Sequence, residues 1–412
     1  MCAKPTEGRG NLQEGGQSYH PLRRSLGSSL HLPMMQKWVE YVRRASGDSC
    51  IWSTGHQYGD WLALDREMGD KSVGATDVYF VANAYYIYVT ELVAKTAHVL
   101  GKYEEAAYYE VLREKTLDSF RKEYYTARGR IVSETQTACA LSLYFNLAYE
   151  KDRENIVQML VSNIEDHQNH LTTGFVGTPY LCHALSENKA HDTAGLLFMR
   201  EDLPSWLYAV NKGATTLWER WDAVLPDGTM QDPGLNSMNH YANGAIGDWM
   251  YRKIGGINQT KAGYRRFYVK PMFVRGIEEA RTELESPYGK IVSCWSCRNG
   301  KIRVEVSVPA NTRADLFLPE KEESFEVGSG THVYEYDTNT SLKELKFTLD
   351  STLGEILDEP LGMKMMEEML PELVHNPMIE YARQMTLAEG ISSAPEVKAV
   401  YEAVLKELNA QM

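Results

Sequence analysis

The sequence predicts a mainly α-helical protein with a β domain: an α/α toroid, then a small antiparallel β-sandwich, then a short helical tail. Three observations carry this reading. Apolar residues recur at helical spacing over about 31–260. Near Tyr264 the period changes from 3.6 to 2. Beyond about residue 352 it changes back.

Residues 1–30 are rich in Gly, Ser and Arg without a period, and are expected to be poorly ordered. Met35, Trp38, Val39 and Val42 then fall at i, i+3, i+4 and i+7 and open the first helix. Val78, Val81, Ala82, Tyr85, Val89, Leu92 and Val93 predict a long helix over about 75–100, stopped near Gly101. Further helices are expected at 102–122, 133–149, 152–166, 178–187, 189–199 and 238–254, with Gly255-Gly256 as a C-cap. Tight links such as Thr172-Thr173-Gly174 and Leu225-Pro226-Asp227-Gly228 separate them. Paired helices with short links, and chemistry-bearing residues in those links, describe a toroid.

From about 264 to 350 the chain alternates. Ile302, Val304, Val306 and Val308 take one face and Arg303, Glu305 and Ser307 the other. Asn299-Gly300 between two such runs is a strong hairpin signal. Other strands fit 281–286, 290–297, 312–318 and 332–348. The tail, 352–412, carries an apolar stripe of Val397, Val400, Tyr401, Val404, Leu405 and Leu408, with Ser393 as N-cap and Pro395 in the first turn. Met363, Met366, Met369 and Leu370 form a second stripe, read as helix–helix contact.

Composition narrows the function. The net charge of −13 argues against nucleic acid, whose recognition needs a basic face. There is no apolar run of about 18 residues and no leader-type segment, so no membrane association is expected. The cysteines show no framework spacing; free thiols suit a reducing compartment, and a cytoplasmic location follows. Cys294-Trp295-Ser296-Cys297 lacks a second pair, and Asp166, His167 and His170 read as a solvated helix end, so no metal and no cofactor are expected. No Gly-rich phosphate loop and no serine nucleophile motif occur. A homodimer is compatible with the sequence.

The chemistry concentrates in Gly213-Ala214-Thr215-Thr216-Leu217-Trp218-Glu219-Arg220-Trp221-Asp222. A carboxylate between two indoles suits sugar cleavage, where the carboxylate activates water and flat apolar faces carry the C–H side of a pyranose. The bland alternative is a buried helix start with core tryptophans and an ion pair. Two further aromatic-polar nodes, Tyr58-Gly59-Asp60-Trp61 and Asn236-Ser237-Met238-Asn239-His240-Tyr241, favour loops converging on one pocket. Trp61, Glu219 and His240 are expected to line it together, whereas Trp206 reads as structural.

These segments, with TQTACALSL at 135–143 and LTTGFVGTPYL at 171–181, occur in this order in bacterial α-L-rhamnosidases of glycoside hydrolase family 78, which the chain resembles from about 33 to 320. The resemblance implies part of an (α/α)6 six-hairpin barrel followed by a C-terminal β-domain, and inverting hydrolysis of terminal α-L-rhamnose from an oligosaccharide or glycoside. It places the general base on Glu219 and His240 in the sugar pocket, with Asp60, Trp61 and Trp218 as further sugar-binding residues.

Inversion needs a second carboxyl group as general acid. The family's acid-bearing segment, of the form ERxGWxGD, has no match in residues 1–60, and eight or nine helices are visible where a closed toroid has twelve. The sequence therefore predicts a truncated product of weak activity. In the second reading Asp60 or Asp65 replaces the acid. Another toroid glycosidase, or a non-catalytic carbohydrate-binding remnant, remains as an alternative.

Overall fold

A computed structural model describes residues 21–66, 72–231, 233–343 and 347–410. The expectation of a poorly ordered N-terminus lies, for residues 1–20, outside them. Residues 21–30 instead belong to the first helix, α1 (Pro21–Ser46), despite Pro33 within it. The chain forms two compact units, Met1–Leu342 and Lys343–Met412.

In the first unit α1 is followed by α2 (Val78–Val99), α3 (Tyr103–Tyr124), α4 (Gln136–Tyr144), α5 (Arg153–Asp166), α6 (Thr178–Glu187), α7 (His191–Met199) and α8 (Trp206–Asn211). Side chains set the starts. The Asp77 carboxylate accepts from the Phe80 N–H at 2.7 Å, and Thr135 and Ser205 cap α4 and α8 in the same way. The predicted 133–149 helix is shorter because Asn146 turns left-handed, with φ 54°. The predicted helix over 238–254 is three pieces: a 3-10 turn (Ala242–Ala245), α9 (Ile246–Trp249) and a π segment (Met250–Ile254). Gly256, with φ 75°, ends it; a Cβ there would sit 2.4 Å from the Lys270–Pro271 backbone.

The β domain holds two four-stranded sheets. One runs β1 (Ile257–Lys261), β2 (Arg266–Val269), β6 (Arg313–Phe317), β7 (Ser324–Val327); the other β3 (Glu279–Ser286), β4 (Gly289–Arg298), β5 (Lys301–Val308), β8 (Gly330–Asp337). Asn299 and Gly300 both have positive φ and close the β4–β5 hairpin as the sequence signal requires. Pairing is antiparallel except between β2 and β6. A chain that crosses through the other sheet between those two strands is free to return in either direction. Cys294 and Cys297, three apart on β4, fall on opposite faces of the sheet.

One core runs through the helices into the sandwich. Its joint is Trp295, which packs tilted against Phe273, with ring centroids 4.7 Å apart, and donates its indole N–H to the Ile254 carbonyl at 2.8 Å.

The second unit opens before its first helix, since Phe347 and Leu349 pack with the tail cluster rather than the sandwich. It comprises α10 (Leu353–Asp358), α11 (Pro360–Met369), α12 (Pro371–Val374), α13 (Ile379–Ala382), α14 (Leu387–Ser393) and α15 (Lys398–Ala410). Ser393 closes α14 instead of capping the last helix, and its hydroxyl donates to the Glu389 carbonyl. The capping boxes belong to Thr352–Glu355 and Thr386–Glu389. Of the methionine stripe only Met366 is fully buried; Met363 and Met369 are exposed. No described helix is long and apolar enough to cross a membrane.

Candidate active site

Two loops build the site's floor. The stretch 58–65 and the stretch 172–177 are zipped by the Leu64 N–H on the Thr172 carbonyl (2.8 Å) and the Phe175 N–H on the Trp61 carbonyl (2.9 Å). Asp60 clasps them. Its carboxylate is fully buried and accepts from the N–H groups of Gly174 (2.8 Å), Val176 (2.8 Å) and Gly177 (3.2 Å) and from the Thr137 hydroxyl. Burial pushes its pKa up to about 6, against the pull of these donors. Asp60 is thus a loop tie and stands outside the cavity lining, as does Asp65, whose carboxylate holds the Ala75 N–H.

The wall opposite is another backbone zip. The Glu219 N–H donates to the Ser237 carbonyl (2.9 Å), and the His240 N–H to the Leu217 carbonyl (2.8 Å). The Thr216 hydroxyl donates to the Met238 carbonyl. Segments 216–219 and 237–240 therefore enter the site as one piece. Glu219 Oε2 accepts from the Ser237 N–H at 2.8 Å, and Oε1 takes no hydrogen bond among the described residues. Arg220 does not turn toward Glu219; it forms a two-pronged pair with Asp222 at 2.6 and 3.1 Å.

Between floor and wall lies a cavity of about 450 Å³. Trp61, Glu219 and His240 all line it, together with Gln57, Tyr58, Phe175 and Tyr241. Among the described lining residues Glu219 is the one carboxylate. The His240 ring lies between Phe175 (4.8 Å) and Tyr241 (5.0 Å). Its Nδ1 accepts from the Ala242 N–H at 3.3 Å, which leaves Nε2 to carry the proton of the neutral ring.

The two indoles beside Glu219 serve the core, not the cavity. Trp221 donates its indole N–H to the Thr173 carbonyl and packs edge-on against Trp206; Trp218 is buried, and its carbonyl accepts from Asn243. The bland sequence reading therefore describes Trp218, Trp221 and the Arg220–Asp222 pair, while the functional one fits Glu219. Sequence reasoning missed Phe175, which sat unremarked inside the 171–181 motif. It also missed Trp38 and Trp52, whose apolar character reads as core on any amphipathic stripe.

Residues 29–254 match the bacterial alpha-L-rhamnosidase 6 hairpin glycosidase domain, and 256–333 the bacterial alpha-L-rhamnosidase C-terminal domain. An alpha-L-rhamnosidase of Formosa agariphila is 38% identical over 296 residues, covering 71% of this chain and 32% of its own length. The Streptomyces avermitilis alpha-L-rhamnosidase complexed with L-rhamnose superposes with a TM-score of 0.70 at 34% identity, over 76% of this chain and 31% of its own. The native enzyme of Aspergillus terreus gives 0.72 at 33%, over 76% and 36%. The chain thus spans about a third of the length of the curated relatives it matches. With both of its matched regions in the order the sequence motifs predict, the chain belongs to the bacterial α-L-rhamnosidase family.

Proposed function

We propose that this chain binds a terminal α-L-rhamnosyl group in the Glu219 cavity and promotes its hydrolysis with inversion, Glu219 acting as general base. The observation that carries the reading is Glu219, the one carboxylate among the described lining residues, held on one oxygen and open on the other, in a cavity otherwise walled mainly by aromatic and aliphatic side chains. The Ser237 N–H fixes the carboxylate through Oε2, so Oε1 is the edge that takes a proton from an attacking water. Trp61 and Phe175 offer flat faces to the ring's C–H side, and the His240 Nε2–H is a donor for a sugar hydroxyl. The solved relative's complex with L-rhamnose supports the choice of sugar.

Inversion also takes a protonated carboxyl group about 6.5–9.5 Å from the base. Asp60 and Asp65 do not line the cavity, so neither fills that role here. The proposal assigns this chain the sugar and the water; departure of a poor leaving group needs a proton from a side that the described residues do not supply. Calorimetric binding of L-rhamnose, beside hydrolysis of p-nitrophenyl α-L-rhamnoside, tests it. Binding with hydrolysis that Glu219→Gln removes supports the enzyme. Binding without hydrolysis above the uncatalysed rate supports a carbohydrate-binding role, hydrolysis indifferent to that substitution contradicts Glu219 as the base, and no binding ends both readings.

A further inference from the structure

The Glu219–Ser237 hydrogen bond is bracketed by four side chains that stand outside the cavity lining. Arg220 follows Glu219 in the chain, and Asn236 precedes Ser237. The Arg220 guanidinium donates to both oxygens of Asp222, and Asp222 Oδ2 also accepts from the Gln231 side-chain amide at 2.8 Å. The Gln231 N–H donates to the Ala223 carbonyl at 3.0 Å. Asn236 Nδ2 donates to that same carbonyl at 2.9 Å and to the Gln231 carbonyl at 3.3 Å. Residues 223–231 form a tight hairpin, in which Val224 bridges Met230 and Asp227 accepts from the N–H and hydroxyl of Thr229 at the tip. Arg220, Asp222, Gln231 and Asn236 thus close the mouth of this hairpin, next to both ends of the base's hydrogen bond.

Contact with a sugar does not explain them, since none is among the described residues that line the cavity. Burial sets the group apart from a surface ion pair, which is worth little. The Arg200–Asp202 pair has the same spacing, but its carboxylate is 58% exposed, against 17% for Asp222. Burial works against the Asp222 anion, yet the Arg220 guanidinium and the Gln231 amide hold its carboxyl below the usual carboxylate range.

Resting on Glu219 as the base, we propose that Asp222 is a positioning residue for it: by capturing Arg220 and Gln231 it keeps the guanidinium off Glu219 and the Ser237 N–H on Oε2. Without that capture the neighbouring cation is free to reach Oε1, the edge an attacking water needs, and the hairpin mouth is free to carry Ser237 away. Misplacing a reacting group by about 1 Å costs about 10²-fold in rate, so a tie outside the cavity governs the chemistry while the sugar's own contacts stay intact.

Turnover of α-L-rhamnosyl fluoride by the full chain tests the assignment, because its leaving group takes no proton. Asp222→Asn keeps the shape but turns an N–H₂ toward the donors; kcat is expected to fall by about 10–10²-fold with KM nearly unchanged. Gln231→Ala, which empties one side of the mouth, should lower kcat in the same direction. Combining Asp222→Asn with Gln231→Glu moves the anion across the mouth, within reach of Arg220 and of the introduced amide, and should restore most of the lost kcat. Asp227→Ala loosens the hairpin at its tip; it should lower the melting temperature and leave kcat as it was. Wild-type kcat in Asp222→Asn, a loss shared by Asp227→Ala, or no recovery in the combined variant would overturn the positioning role. If Asp222→Asn does not fold, Gln231→Ala decides, and an unchanged kcat there overturns it too. The base reading survives each of these results so long as Glu219→Gln abolishes turnover, whereas a wild type that does not turn over the fluoride removes both.

Discussion

Glu219 and Asp60 show how the same functional group is put to opposite uses. Glu219 has one hydrogen bond and an open edge; Asp60 has four donors and no access to the cavity. The sequence places both beside a tryptophan, and that context does not reveal whether a carboxylate meets a ligand or a cluster of backbone N–H groups. Trp61, Glu219 and His240 were legible because each lies in a link between elements, where a toroid gathers its loops. Asp60 and Trp218 were not, because a loop must also be tied down. Glu219→Gln should preserve rhamnose binding within a few-fold, since the amide keeps size and hydrogen bonding, while hydrolysis falls by about 10²–10⁴. Asp60→Asn should cost about 1–3 kcal/mol in urea unfolding at pH 7, as the amide N–H₂ confronts backbone donors. The pH dependence has a definite sign. Asp60 is raised from 3.8 to about 6 in the folded chain, so between these values the native state binds the extra proton. Its contribution is full below 3.8 and lost as pH rises through 6. The wild-type advantage over Asp60→Asn should therefore be widest near pH 4 and narrow by pH 7.

At the scale of elements, periodicity identified the long helices and the β4–β5 hairpin, because burial imposes 3.6 and 2 on the apolar residues. It failed where tertiary contacts override local pattern: the broken 242–254 segment, the parallel β2–β6 pair, and the last helix, whose Ser393 looked like a cap but ends the helix before it. Substitution separates the real cap from the apparent one. Thr386→Ala should lower stability by about 1 kcal/mol in urea unfolding of the tail transition, and Ser393→Ala should change it little. The loop zip is as specific. A Cβ on Gly174 would meet the Trp61 carbonyl at 2.2 Å and the Ala63 nitrogen at 2.6 Å. Gly174→Ala should thus weaken rhamnose affinity and lower the melting temperature together; a stable variant with full affinity would show that the clasp does not position Trp61.

For the whole molecule, the helical region and the sandwich share one core through Trp295, so the site's two loops rest on a common scaffold. Trp295→Ala should cost about 3–5 kcal/mol and shift the melting of the first unit as a whole. The account's central claim is that Glu219 activates water against a bound α-L-rhamnosyl group. α-L-Rhamnosyl fluoride tests it most directly, because fluoride leaves without a proton and turnover then reports the base alone. As the C1–F bond breaks and the C1–O bond to water forms, the water's proton passes to Glu219. The measurement is proton NMR of the first-formed sugar, for the wild type and for Glu219→Gln at equal rhamnose occupancy. The account predicts β-L-rhamnose from the wild type and a rate lower by about 10²–10⁴ in the variant. First-formed α-L-rhamnose, or a variant as fast as the wild type, would contradict it.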